Sequence, residues 1–127
     1  MAKVILESLN KVFTSKIGND VKAVNNFNLI LEDGEILALL GSSGCGKTTT
    51  LRMIAGFETA SSGLIKIGER IINDLKPAER NVAMAFEGYA LYPPLTVRDN
   101  IAFSLMREKI SKEKVDSKVM EVAELLE

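Results

Sequence analysis

Gly41, Ser42, Ser43, Gly44, Cys45, Gly46, Lys47, Thr48 and Thr49 read G-S-S-G-C-G-K-T-T, which contains the pattern G-x-x-x-x-G-K-[ST]. On its N-terminal side, Ile36 to Leu40 is an apolar run, as expected of a strand covered on both faces of a parallel or mixed sheet. On its C-terminal side, Lys47 to Ala55 predicts a helix with Leu51, Ile54 and Ala55 on its buried face and Gly56 as its stop. A strand that delivers a glycine-rich turn to a helix N-terminus aims backbone N–H groups and the positive dipole end at one point, which suits phosphate oxygens. Lys47 then sets a point charge on the β and γ phosphates, and the Thr48 hydroxyl is a ligand for nucleotide-bound magnesium. The alternative is a flexible Gly/Ser turn with a surface lysine, and the flanking strand and helix argue against it.

Outward from that stretch, 127 residues with a 46% hydrophobic fraction suffice for one core. Sixteen basic residues against seventeen acidic ones give a net charge of -1, so no general polyanion-binding surface, and no nucleic-acid partner, is expected. The chain has no histidine, which excludes a histidine base or ligand cluster and leaves only oxygen-based, substrate-assisted metal binding. Cys45 is the single cysteine, consistent with a reducing compartment, and is read as shaping and packing the loop rather than as a nucleophile. The N-terminus lacks the pattern of a signal peptide, and no apolar stretch approaches the length of a membrane span.

Lys3 to Leu9 and Val21 to Leu31 predict strands, with Val24, Phe27 and Leu29 facing inward. Phe13 is an aromatic near the first strand that could stack on a base, although core or hairpin packing is the commoner fate of such a residue. Short strands follow at Leu64 to Ile67 and at Val82 to Phe86, and the pair Pro93 and Pro94 disfavours regular structure in the loop between 87 and 95. Thr96 is a predicted N-cap for a helix beginning at Val97, and Ser111 caps a last helix from Lys112 to Glu127. Val115, Val119, Val122 and Leu126 form an apolar stripe along that helix.

With these stretches in order, the chain resembles the N-terminal part of an ABC transporter ATP-binding subunit of the carbohydrate-importer type. The resemblance rests on residues 41 to 56, on the S-S-G turn at 61 to 63, on P-A-E-R at 77 to 80 and on Y-A-L-Y-P at 89 to 93. It implies an α/β fold, a P-loop NTPase-type mixed sheet with flanking helices, in which residues 1–127 form a partial nucleotide-binding domain. It also implies ATP and Mg2+ as ligands, a location at the cytosolic face of the membrane, and permease subunits and a second nucleotide-binding domain as partners. Phe13 matches the position that stacks on adenine, which reverses the packing preference. Gly41, Ser42, Ser43, Gly44, Cys45, Gly46, Lys47, Thr48 and Thr49 match the phosphate loop, and Tyr89 to Thr96 resembles the surface that meets a permease helix.

Two positions depart from the family pattern. Ser42 stands where this group often has proline, which leaves more unfolded-state entropy to lose. Glu87 stands at the glutamine position that contacts magnesium or the attacking water; it remains an oxygen ligand but brings negative charge and loses an amide donor. The family is an ATP hydrolase coupled to transport, yet its signature motif, the Walker B acidic pair and the switch histidine occur nowhere in this sequence. Residues 1–127 by themselves are therefore expected to bind nucleotide without appreciable hydrolysis. Without later strands beside the phosphate-loop strand, an apolar sheet edge is expected to be exposed and to invite homo-oligomers. The competing readings are a structural or regulatory remnant that associates through that edge, and another P-loop NTPase.

Overall fold

The computed structural model describes residues 2–15, 18–86, 91–107 and 110–125, with the side chain of residue 107 left aside. They divide into two compact units, 1–84 and 85–127.

The first unit is built on a four-stranded antiparallel sheet in the order β2-β1-β3-β4. Its strands are β1 (Val4–Phe13), β2 (Val21–Leu31), β3 (Ser62–Ile67) and β4 (Arg70–Ile71). β1 runs further than the expected Leu9 because asparagine side chains carry it across an irregularity. Ser8 and Asn26 both sit at φ 46, where the ladder between β1 and β2 slips. The Asn28 Oδ1 accepts from the Ser8 N–H at 2.7 Å, and the Asn10 Oδ1 accepts from the Asn26 N–H at 2.8 Å. Side-chain amides thus supply the partners that the bulged backbone lacks.

Helix α1 (Lys47–Ala55) packs its apolar side against this sheet. Leu6, Leu9, Val24, Met53, Ile65 and Ile72 are the buried cluster, flanked by the half-buried Phe27 and Leu29 as expected. The buried face of α1 keeps the expected Ala55, with Ile54 half-buried against the core, and departs from the expected one at Leu51. Thr50, Met53 and Ala55 are buried, whereas Leu51 is 47% exposed. Thr50 takes the inward position because its hydroxyl donates to the Gly46 carbonyl at 3.0 Å, so the β-branched residue enters the interior with its polar atom satisfied.

Two expected strands are absent among the described residues. Ile36 to Leu40 and Val82 to Phe86 have no ladder partner. A strand exists only with a neighbour to complete its hydrogen bonds, and the 36–40 run pairs with no strand of the described sheet. Ile36 is 99% and Leu40 91% exposed, so apolar side chains are uncovered here as expected, but outside the sheet rather than along a strand edge.

The second unit consists of α2 (Val97–Ala102), a short 3-10 turn at Leu105–Arg107, and α3 (Lys112–Leu125). Thr96 caps α2 as predicted, its hydroxyl oxygen accepting from the Asp99 N–H at 3.1 Å. Val119 is buried on α3, with Val115 and Val122 half-buried beside it; Leu126 lies outside the described residues. Arg98 on α2 is paired with Asp116 on α3, which together with Asp99 holds its guanidinium pKa above the ordinary value.

Candidate functional site

Gly46 ends the glycine-rich loop at φ 94, a left-handed conformation that a side chain strains. A Cβ there would lie 2.3 Å from the Ala23 carbonyl oxygen on β2, so the loop presses backbone to backbone against the sheet. This close approach starts α1 at Lys47 with no side chain to cap it and no acidic residue in the first turn. The first N–H groups of a helix have no intrahelical acceptor, so the N-terminus of α1 is left polar, positive and unneutralised.

Lys47 crosses the loop. Its Nζ donates to the Gly41 and Ser42 carbonyls, both at 2.7 Å, and reaches the Cys45 Sγ at 3.5 Å. An ammonium has three protons, and here two are held by strong acceptors. The third faces sulfur, a weak acceptor that an anionic oxygen readily displaces. Cys45 is exposed rather than buried, but its sulfur lies against Gly41, where a Cβ would come within 2.7 Å of it, and beside the Lys47 charge, in keeping with a loop-shaping role. The Ser42 carbonyl also accepts from the Cys45 N–H at 3.4 Å, which closes the turn. Thr48 and Thr49 lie in the first turn of α1, next to the loop mouth. A cavity of about 340 Å³ opens beside the loop between β2 and α1, lined by Lys22, Val24, Phe27, Leu40, Gly46 and Lys47 among others.

The donor set fits a polyphosphate: a cradle whose glycine has no room for a side chain, an open helix N-terminus, and an ammonium with one weakly held proton. Among the described residues no cluster of acidic, cysteine or histidine side chains could hold a metal by itself. A magnesium ion would therefore rest on the Thr48 hydroxyl and on oxygens that arrive with the nucleotide.

Phe13 does not line the 340 Å³ cavity; it stands at the end of β1, paired with Val21 and 40% exposed. Glu87 lies outside the described residues, as do Tyr89 and Ala90 of the expected permease-facing segment. The rest of that segment is held by Asn100. Its Nδ2 donates to the Tyr92, Leu95 and Thr96 carbonyls at 3.0 to 3.1 Å, and its Oδ1 accepts from the Tyr92 N–H at 2.7 Å. The Tyr92 ring packs on Phe103 with centroids 4.4 Å apart, while Leu91 and Val97 remain exposed.

Sequence reasoning gave no role to Asn100 or Lys11, and none to Arg80 beyond its place in the P-A-E-R stretch. The buried Arg80 guanidinium donates to four main-chain carbonyls, those of Met53, Ile54, Asn73 and Leu75, at 2.7 to 3.1 Å. Burial lowers its pKa, with the Asp74 charge opposing. Its acceptors are all backbone, so no residue pattern announces them. Lys11 was legible in principle, because period two in a strand sets it on the same face as Phe13.

The sheet, α1 and the glycine loop define a chain of the P-loop NTPase fold class. The match to the ABC transporter family model spans residues 24–127, and the chain belongs to that family. It is 44% identical over 127 residues to the sn-glycerol-3-phosphate import ATP-binding protein UgpC of Brucella abortus, covering 100% of this chain and 35% of that protein. It is 50% identical over 126 residues to the osmoprotective compounds uptake ATP-binding protein GgtA of Synechocystis sp., covering 99% of this chain and 33% of that protein. The chain thus spans about a third of the length of these relatives. Its fold resembles that of the ATP-binding cassette MJ0796, solved as a dimer in a post-hydrolysis state bound to ADP and Pi. That likeness has a TM-score of 0.77 at 28% identity and covers 93% of this chain and 54% of the cassette.

Proposed function

We propose that residues 1–127 form the ATP-binding portion of a sugar-type ABC importer subunit, a partial nucleotide-binding domain that serves transport as part of a complete protein. The observation that carries this reading is the open N-terminus of α1 behind Gly46, with the Lys47 ammonium drawn across it by the Gly41 and Ser42 carbonyls. In this reading the N–H groups of Gly44 to Thr49 surround the β and γ phosphates and Lys47 turns its third proton from sulfur to phosphate oxygen. Thr48 offers its hydroxyl to magnesium, and Phe13 stacks on the adenine. Glu87 supplies an oxygen at the position where the family carries glutamine, with an added negative charge near the phosphates.

The relatives' names support import driven by an ATP-binding subunit, and the dimeric cassette supports pairing with a second nucleotide-binding domain. Permease subunits are the remaining partners, met through the segment ending at Thr96, which puts the protein at the cytosolic face of the membrane. No described helix is long and apolar enough to cross a membrane. Residues 1–127 in isolation bind nucleotide without appreciable turnover, since the Walker B acidic pair and the signature motif are not in this sequence.

Titration of the purified chain with Mg-ATP by calorimetry tests the reading. Saturable binding that Lys47→Ala weakens strongly is expected. A folded chain that binds neither Mg-ATP nor Mg-ADP at millimolar concentration overturns it, and selective binding of guanine nucleotides overturns the ABC importer assignment.

A further inference from the structure

Lys11 is the one buried lysine among the described residues, and its surroundings account for every proton on its nitrogen. The Nζ donates to the Glu58 Oε1 at 2.7 Å and to the Thr59 carbonyl at 2.8 Å. Its remaining direction faces the Phe13 ring, with the nitrogen 4.8 Å from the ring centroid. A desolvated cation on an aromatic face is attracted by the ring quadrupole and holds the ring in one orientation. Phe13 nevertheless remains 40% exposed, so the ring has a supported side and a free one.

Both anchors of Lys11 belong to the segment that leaves the phosphate-loop helix. The Phe57 and Glu58 N–H groups donate to the Arg52 carbonyl at 2.9 and 3.2 Å, so Glu58 is fixed to the last turn of α1. The Lys11 hydrogen bond holds the Glu58 carboxyl below the ordinary range against the opposing effect of burial. A continuous path therefore runs from α1, which presents Lys47 at one end, through Glu58 and Lys11 to the Phe13 ring.

We propose that Lys11 and Glu58 are positioning residues for base stacking: the ammonium, anchored to the end of α1, backs one face of Phe13 so that the other is set for the purine. The inference rests on the nucleotide reading above and concerns the base only, because the pair touches no group that would meet the phosphates. Charge behind the ring also draws electron density from its free face, which strengthens offset stacking with an electron-rich purine. A merely structural ion pair would stabilise β1 against α1 and treat every ligand of the loop alike.

The test is a comparison of Mg-ATP with Mg-tripolyphosphate, which has the phosphates and no base, on the full chain. Phe13→Ala is expected to weaken ATP about five- to a hundredfold, the range of base–aromatic stacking. Lys11→Met, which keeps the apolar stem, is expected to weaken ATP about three- to fivefold. Neither change should move tripolyphosphate affinity, and Lys11→Arg should restore ATP binding. Unchanged ATP affinity in Lys11→Met, or equal weakening of both ligands, overturns the inference. Wild-type chain that binds neither ligand overturns the nucleotide reading itself; wild type that binds both equally, with Phe13→Ala silent, overturns only the stacking part. Should Lys11→Met fail to fold, proton NMR of the wild type decides. The Lys11 ε-methylene signals are expected upfield by the ring current and to remain there with ATP bound, and loss of that shift on binding counts against the proposal.

Discussion

The two ends of α1 are handled in opposite ways. At the C-terminal end, Gly56 takes φ 84, its N–H donates to the Met53 carbonyl, the Phe57 and Glu58 N–H groups close on the Arg52 carbonyl, and Arg80 covers the Met53 and Ile54 carbonyls with positive charge. Every rule for ending a helix is met there, and met internally. At the N-terminal end, Gly46 offers no capping side chain, the first turn has no carboxylate, and the nearest charge, Lys47, has the same sign as the dipole end. A helix terminus that the protein completes from its own residues is structural. One that it leaves incomplete, and makes more positive, is open to an anion from outside, which is what the proposed nucleotide reading draws on.

The largest separation between the two ends should come from Lys47→Ala. Loss of one charge-assisted contact at the open end is expected to weaken Mg-ATP binding about thirtyfold to a hundredfold. The melting temperature should stay near that of wild type, and calorimetry with a thermal melt checks both. Arg80→Met at the closed end should do the reverse. Four carbonyls lose their donor, and chemical denaturation is expected to show about 2–3 kcal/mol less stability. Nucleotide affinity of the folded fraction should change little. A large affinity loss in Arg80→Met without destabilisation would break the contrast.

A smaller effect is expected from Gly56→Ala. The left-handed conformation and a Cβ placed 2.6 Å from the Arg80 Nε together suggest about 1–2 kcal/mol of destabilisation. Smallest is the pH effect at Glu58, whose lowered pKa means that it binds its proton less readily folded than unfolded. Its contribution is full above the ordinary carboxylate range and is lost as pH falls through the lowered folded value. With the carboxylate partly exposed, the contribution should stay under about 1 kcal/mol. Acid denaturation of Glu58→Gln should show a correspondingly flatter limb than wild type.

The same contrast separates what is legible in the sequence from what is not. The span of α1, its stop at Gly56, the Thr96 cap and the bounds of β2 are local matters, decided by a turn residue or a periodicity within a few positions. Ile36 to Leu40 and Val82 to Phe86 have the apolarity of strands. Strand formation depends on a distant partner, which no local window contains, and those segments are unpaired. Leu51 and Thr50 exchanged places for a similar reason: hydrophobicity favours leucine inside, and only the Gly46 carbonyl makes the threonine acceptable there. At the candidate site the loop glycines and Lys47 were legible because their pattern is contiguous. Arg80 and Asn100 bind carbonyls that every residue possesses, so their roles leave no trace in composition.

Asn73 gives the sheet a boundary. β4 pairs with β3 only at Lys66 and Ile67, and the Ile72 N–H extends the contact to the Ile65 carbonyl at 2.9 Å, which would leave the Ile65 N–H and the Gly63 carbonyl open. The Asn73 Oδ1 accepts from the Ile65 N–H at 2.8 Å and its Nδ2 donates to the Gly63 carbonyl at 3.0 Å, so one side-chain amide imitates a strand residue. An approaching chain would have to evict that amide before it could zip onto this margin, and strand-to-strand self-assembly through β3 is thereby discouraged.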